Sequence, residues 1–434
     1  MISAPNHRQL LNGNRLLAVL LIPFLLISCG AFKKTTVATE LPENEEVVVV
    51  NPEKKEEPIV EKPVPKVKEK KVVYSTVVFK GESYKVPVHK RDFHIAVLLP
   101  FHLKGQESIP DKRRASYMLE YYQGMKLAIS EIEKLGSKFN IHYFDTDNDT
   151  SVLKQLLRKS EMEKMDLLIG PTDDNQLRIA SYYARKHEIP LFSPITTAGK
   201  MWSKNPYVFN LNPSEKMQAM AFIEYFKKHH KDEQLVILRD DQRFDRSFGE
   251  ALIAQLEKEK INYSAQTFNR YMKWGDILGG EKTVVLSMVQ DKTNMLYTVN
   301  SLLSKEKTVT LMGSDKWLEY SSVDFEYWER LNMCFLSTNL AQVRNEMATE
   351  MTRRYRYQYK DDPSWYTYMG FDQLLFSCEV LDAFGQYFPM FLENKVITYG
   401  NSSFNMTMTD NCFHNKYLQI FQYKDKEIIT IPQD

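Results

Sequence analysis

At 434 residues the chain exceeds what one hydrophobic core usually holds, so two lobes with tails are the natural arrangement. Hydrophobic residues at 43% and charged residues at 26% are globular values, and 57 Lys and Arg against 56 Asp and Glu leave a formal net charge of +1. That balance excludes a polyanion-binding surface built on overall charge, and with it a case for nucleic acid.

In chain order, residues 1–29 read as a secretory signal peptide rather than fold. Arg8 and Arg15 precede the apolar run Leu16 to Ile27, which is too short to span a bilayer and suited to a secretory signal. The run ends in Leu26-Ile27-Ser28-Cys29-Gly30, which resembles a bacterial lipobox, with Cys29 as the lipidated, mature N-terminus. The resemblance implies a membrane-anchored lipoprotein of the cell envelope, facing the periplasm. By resemblance to Gram-negative lipoproteins, Gly30 instead of Asp after the Cys implies the outer membrane. Several acyl chains at about 0.8 kcal/mol per buried CH2 hold such an anchor firmly. Residues 30–73 scatter Pro42, Pro52, Pro58, Pro63 and Pro65 among Glu-rich and Lys-rich blocks, a composition that cannot bury enough apolar surface to offset its ordering entropy. This is a disordered tether, reaching on the order of 120 Å if extended like polyproline at ~3.1 Å per residue.

Residues 74–91 open with Tyr74-Ser75-Thr76-Val77-Val78-Phe79-Lys80-Gly81-Glu82-Ser83-Tyr84, which resembles the first strand and turn of a LysM repeat. A whole repeat needs two helices and a second strand. Pro87 and the start of the core arrive too soon, so a short lead-in strand is expected, a LysM-like fragment at most.

The core opens with the strand Ile95-Ala96-Val97-Leu98-Leu99, a continuous apolar run of the kind buried on both faces of a parallel sheet. A helix follows over 117–134, with Met118, Tyr122, Met125, Ile129 and Ile132 on one stripe. Strand 139–145, helix 152–164, strand 166–170, helix 176–186 and strand 189–193 continue the alternation, which implies right-handed parallel crossovers. Asp145-Thr146-Asp147-Asn148-Asp149-Thr150 hints at a calcium loop, but the sixth position is Thr150 instead of Gly and the twelfth is Leu156 instead of Glu. Asp149 or Thr150 as a helix N-cap is the sober reading.

The succession Ile95-Ala96-Val97-Leu98-Leu99-Pro100, Tyr122-Gln123-Gly124-Met125-Lys126-Leu127-Ala128, Tyr143-Phe144-Asp145-Thr146, Leu168-Ile169-Gly170-Pro171 and Ile189-Pro190-Leu191-Phe192-Ser193-Pro194 resembles the type I periplasmic binding proteins, particularly the branched-chain amino-acid (leucine) binding group. The resemblance runs from about Phe93 to the C-terminus. It implies an α/β fold of two doubly wound parallel-sheet lobes joined by a three-crossing hinge that can close on a ligand. Lobe 1 is expected over 92–211 and 338–396, and lobe 2 over 212–337 and 397–434. Alternation in 234–313 and Tyr368-Met369-Gly370-Phe371-Asp372, similar to the family's Gly-Tyr-Asp helix start, agree with it.

Ligands of open α/β sheets bind at the carboxyl ends of strands. That rule selects Gly170 to Asn175 and Ser193 to Thr197 in lobe 1, and Asp240 to Phe248, Ser287 to Gln290 and Gly313 to Asp315 in lobe 2. In amino-acid-binding relatives the lobe 1 loops hold the ligand carboxylate with small hydroxyls and backbone N–H groups. An aromatic and an acidic residue of the other lobe hold the side chain and ammonium. The ligand-binding candidates are therefore Thr172, Asp173, Asp174, Thr196, Thr197, Phe248 (or Phe244) and Asp315. Asp173-Asp174 departs from the family's Ser-Ser pair, since two carboxylates would repel a ligand carboxylate. Either these residues cap the helix beginning near Gln176 and point away, or the ligand is not an ordinary amino acid, or the cleft binds nothing small.

No catalytic, metal or cofactor motif is present: there is no Gly-x-Ser-x-Gly, no His-Glu-x-x-His, and Gly279-Gly280-Glu281-Lys282-Thr283 is not a P-loop. Cys334, Cys378 and Cys412 allow at most one disulfide, expected through Cys412 with either partner. The lipobox and binding-protein resemblances together imply a non-enzymatic envelope lipoprotein that binds a small polar, amino-acid-like solute in an interlobe cleft for an ABC permease. The alternative is a non-transport interaction protein, similar to the lipoprotein activators of penicillin-binding proteins, whose partner is a peptidoglycan synthase.

Overall fold

The computed structural model describes residues 72–105, 108–195, 204–240, 246–305, 308–320, 324–338, 346–393 and 395–431. Cys29 and the tether lie outside them. The described chain begins with β1 (Tyr74–Phe79) and β2 (Glu82–Pro87), an antiparallel hairpin turned by Lys80 and Gly81 at φ of 47° and 85°. The segment is thus a paired hairpin rather than a single strand, and no LysM helices follow before the core.

Next come β3 (Asp92–Leu99), α1 (Ile109–Ile132), β4 (Lys138–Asp145), α2 (Thr150–Leu157), β5 (Leu167–Ile169), α3 (Asp174–His187), β6 (Leu191–Ser193) and β7 (Val208–Asn210). They are followed by α4 (Glu215–His229), β8 (Gln234–Arg239), α5 (Arg246–Lys258), β9 (Ser264–Thr267), α6 (Trp274–Ile277), β10 (Lys282–Ser287), α7 (Lys292–Leu303), β11 (Thr308–Ser314), α8 (Phe325–Arg330) and β12 (Cys334–Ser337). The chain finishes with α9 (Glu346–Tyr359), α10 (Trp365–Phe384), β13 (Val396–Thr398), β14 (Ser403–Thr409), β15 (Cys412–Asn415), β16 (Gln419–Lys424) and β17 (Glu427–Thr430).

Lobe 1 is built on an eight-stranded sheet in the order β13-β14-β15-β7-β6-β5-β3-β4, and lobe 2 on a seven-stranded sheet in the order β17-β16-β12-β11-β10-β8-β9. The neighbours from β7 to β4, and those from β12 to β9, run parallel, and the late strands add antiparallel pairs at one edge of each sheet. Alternate residues of one strand feed opposite cores, as the period of two requires. In β3, Ile95, Val97 and Leu99 join one hydrophobic cluster and Ala96 and Leu98 the other. In β8, Val236 and Leu238 face one side and Leu235 and Ile237 the other. Among the described residues no helix is long and apolar enough to cross a membrane.

Two features differ from the sequence expectation. The third crossing does not occur at Val396. β13, β14 and β15 stay in the lobe 1 sheet, β15 pairing parallel with β7 through Phe413 and Phe209, so the chain crosses only between Asn415 and Gln419. The reason is apolar burial: Phe404 stacks on Phe376 and Phe413 on Phe209, each with centroids 4.3 Å apart. Asp410 and Asn411, at φ of 54° and 56°, supply the two-residue turn that joins β14 to β15. Secondly, Cys334, Cys378 and Cys412 are each free and buried, on separate elements. Burial pushes the thiols of Cys334 and Cys412 up to about 12.

α1 and α10 make the closest helix contact of lobe 1. A Cβ on Gly124 would stand 1.9 Å from the Thr367 carbonyl oxygen, and one on Gly370 1.9 Å from that of Tyr121. Only glycine at both positions allows the two backbones so near. α10 also carries Asp372, 1% exposed, whose carboxylate accepts from the N–H groups of Gly400, Asn401 and Ser402 at 3.0, 2.8 and 2.8 Å. It thereby fixes the turn between β13 and β14.

Candidate functional site

The carboxyl ends of the lobe 1 strands are rich in aspartate, and the carboxylates of Asp145, Asp147, Asp149 and Asp173 each have a structural employment. Asp145, closing β4, accepts from the backbone N–H groups of Phe101 (2.9 Å), His102 (3.2 Å), Leu103 (2.9 Å) and Asp147 (2.9 Å). Burial raises its carboxyl, but these donors outweigh it and hold it below the usual range. Asp147 meets His102 Nδ1 at 3.2 Å and Lys104 Nζ at 3.1 Å. Asp149 caps α2, accepting from Ser151 N at 2.6 Å. The calcium-like run is therefore three structural devices in succession.

Asp173 caps α3, accepting from Asn175 N at 3.0 Å and Gln176 N at 3.2 Å. Its carboxylate fills the N-terminus of that helix, where backbone donors and the dipole would otherwise attract an anion. Asp174 occupies the first turn, and burial, then the Asp173 charge, push its carboxyl above the ordinary value. Thr172 faces a different feature, a cavity of about 260 Å³ lined by Arg113, Arg114, Tyr117, Ile195 and Tyr366 among others. Thr196, Thr197 and Phe244 lie outside the described residues.

α1 begins two turns before the residues that announce it in sequence. Ser108 caps it, accepting from Asp111 N at 3.4 Å, and Pro110 sits in the first turn where its missing N–H costs nothing. Ser108 to Asp111 was the legible signal, hidden by the charged Lys112-Arg113-Arg114 that follows. Arg113, Arg114, Tyr117 and Tyr366 are accordingly cavity residues that the sequence reading missed. The Gly124–Gly370 approach brings α1 and α10 together, and Tyr117 stacks on Tyr366 with centroids 4.6 Å apart and planes at 14°.

In lobe 2 the strand ends surround a cavity of about 550 Å³, and two of the expected residues, Phe248 and Asp315, line it together. Around them are Ser287, Ser314, Ser337 and Thr338, with Glu215 and Lys316 at its charged margin. Asp315 stands where it does because Gly313 leaves room: a Cβ there would lie 2.6 Å from the Trp317 ring. Trp317 is fully buried and its indole N–H donates to the Val289 carbonyl at 2.9 Å, which folds the short 3-10 turn 315–319 back over β11. The Asp315 carboxylate then accepts from Ser337 Oγ at 2.5 Å and Ser314 Oγ at 3.2 Å. Both partners are rotatable hydroxyls, and no backbone N–H is spent on the carboxylate among the described contacts. Such an arrangement presents an acceptor to a cationic or hydroxyl-bearing group. No cluster of three or more metal-ligating side chains occurs among the described residues.

The chain matches a family model described as periplasmic binding protein over residues 114–271. No curated protein is significantly similar to it in sequence. Among solved structures, a Rhodospirillum rubrum protein described as a branched-chain amino acid ABC transporter shares 10% identity over 78% of this chain and 100% of its own, with a TM-score of 0.56. Full-length LpoA from Haemophilus influenzae shares 11% identity over 78% of this chain, with a TM-score of 0.52, and the match spans 58% of that longer protein. The two sheets, their strand order and these likenesses together give the type I periplasmic binding protein fold.

Proposed function

We propose that this protein, with its type I periplasmic binding protein fold, captures a small polar, amino-acid-like solute in the cleft between its lobes, as the substrate-binding protein of an ABC-type transporter, and is not an enzyme. The observation that carries the reading is Asp315, an acceptor held by two serine hydroxyls inside a hydroxyl-lined cavity at the strand ends of lobe 2. The solute's ammonium or hydroxyl groups bond to it, and Phe248 covers the apolar part. The fold shared with the Rhodospirillum rubrum protein supports the transport class. Thermal unfolding of the chain from residue 30 against amino acids, small peptides and muropeptides tests it. A ligand at ~100 times its Kd adds about 2.7 kcal/mol and raises the midpoint. No shift across the panel contradicts solute capture.

The second reading, an interaction protein acting on a peptidoglycan synthase, is favoured by Asp173, which closes the α3 N-terminus to a ligand carboxylate, and by the fold likeness to LpoA. Both readings anchor the protein in the envelope, at the outer membrane, through Cys29. Cys29→Ala should release it to the soluble periplasmic fraction, and continued membrane fractionation would count against the anchor.

A further inference from the structure

Resting on the solute-capture reading, we infer that lobe 1 binds an oxyanion, carboxylate or phosphate, between Arg113 and Arg114 and beside the stacked Tyr117–Tyr366 pair, so that the solute carries its negative group next to a flat ring or sugar face. The cavity of about 260 Å³ is lined by both arginines together with Thr172 and Ile195, which follow β5 and β6 at the binding end of the sheet. Arginine is suited to the task, since its planar fork of donors matches a carboxylate or phosphate.

The charge pattern of α1 is otherwise hard to justify. Lys112, Arg113 and Arg114 are the fourth to sixth residues of a helix of 24 residues, three consecutive like charges that repel one another. Asp111 offsets only part of this, reaching Arg114 at 3.7 Å. Arg113 has no ion-pair or hydrogen-bond partner among the described residues. An anion between the guanidinium groups relieves that opposition. The competing anion position on lobe 1, the start of α3, is already filled by the Asp173 carboxylate. Tyr117 is 36% exposed and its partner ring is pressed against it at 14°, which leaves an aromatic face at the cavity for a ring to cover.

Calorimetric titration of the chain from residue 30 with matched pairs tests the inference: glucose 6-phosphate against glucose, N-acetylmuramate against N-acetylglucosamine, and phenylalanine against phenylethylamine. The expected result is binding of at least one anionic member, at least tenfold tighter than its neutral or cationic counterpart. Which pair responds separates phosphate from carboxylate. The double variant Arg113→Gln, Arg114→Gln should lose that preference while its unliganded midpoint stays level or rises, because two unfavourable charges leave the helix start. Equal binding within every pair, or an unchanged preference in the double variant, overturns the anion site and leaves solute capture standing. Binding by no member overturns the inference, and failure of the wider solute panel as well overturns the reading beneath it.

Discussion

The two lobes carry the same sheet architecture but use the carboxylates at their strand ends in opposite ways. In lobe 1, Asp145, Asp149 and Asp173 are consumed by backbone N–H groups, and their removal would unfasten loops and helix starts. In lobe 2, Asp315 is held by the hydroxyls of Ser314 and Ser337, which can rotate toward another partner, and its position is set from beneath by Gly313 and Trp317. An acidic residue at a strand end is therefore no sign of a binding role by itself. What its oxygens already accept decides the matter.

The largest expected effect on stability comes from Gly313→Ala. Its Cβ must displace the Trp317 ring from 2.6 Å, an overpacking that costs about 3 kcal/mol. Denaturant unfolding measures it, and a loss under about 1 kcal/mol would show that the 315–319 turn does not depend on that packing. Asp145→Asn should cost about 2–3 kcal/mol, because the amide NH2 faces donors that the carboxylate had satisfied. The Asp145 carboxyl is held below its unfolded value, so its contribution is present above about pH 4 and disappears as pH falls through the lower folded value. The variant should lack that acid-side loss.

Asp372 titrates in the opposite sense. Burial raises its carboxyl to about 7 despite the three N–H donors. Its contribution is complete below about pH 4, the unfolded value, and is lost as pH rises through about 7. Asp372→Asn should flatten stability against pH in that window and cost about 1–3 kcal/mol overall. A wild-type profile without the fall would mean that the donors dominate burial. Asp173→Ala should cost only about 1 kcal/mol, the usual value of a helix N-cap.

Much of this fold is legible in the sequence because the parallel strands are continuous apolar runs. Ile95 to Leu99 and Leu235 to Leu238 announce themselves by lying in a sheet covered on both faces. The Asp149 cap was equally readable, since the calcium alternative fails on two positions. The third crossing was not readable: β13 to β15 offer short strands whose partner sheet is chosen by where Phe404 and Phe413 find aromatic neighbours, a tertiary fact. The start of α1 was obscured because three consecutive cations look like a solvated loop, which also concealed Arg113 and Arg114. For the site, Phe248 and Asp315 do share a cavity, whereas Asp173 serves the backbone. Composition could not separate those two aspartates, because the difference lies in which donors surround them.

The comparison between the lobes is tested most directly by titrating the strongest ligand of the thermal panel into the wild type, Asp315→Ala and Asp173→Ala side by side. If lobe 2 presents the binding carboxylate, Asp315→Ala weakens affinity by roughly 2–5 kcal/mol while Asp173→Ala stays within about twofold of wild type. Unchanged affinity in Asp315→Ala, or a larger loss in Asp173→Ala, would contradict the assignment of the acceptor to lobe 2.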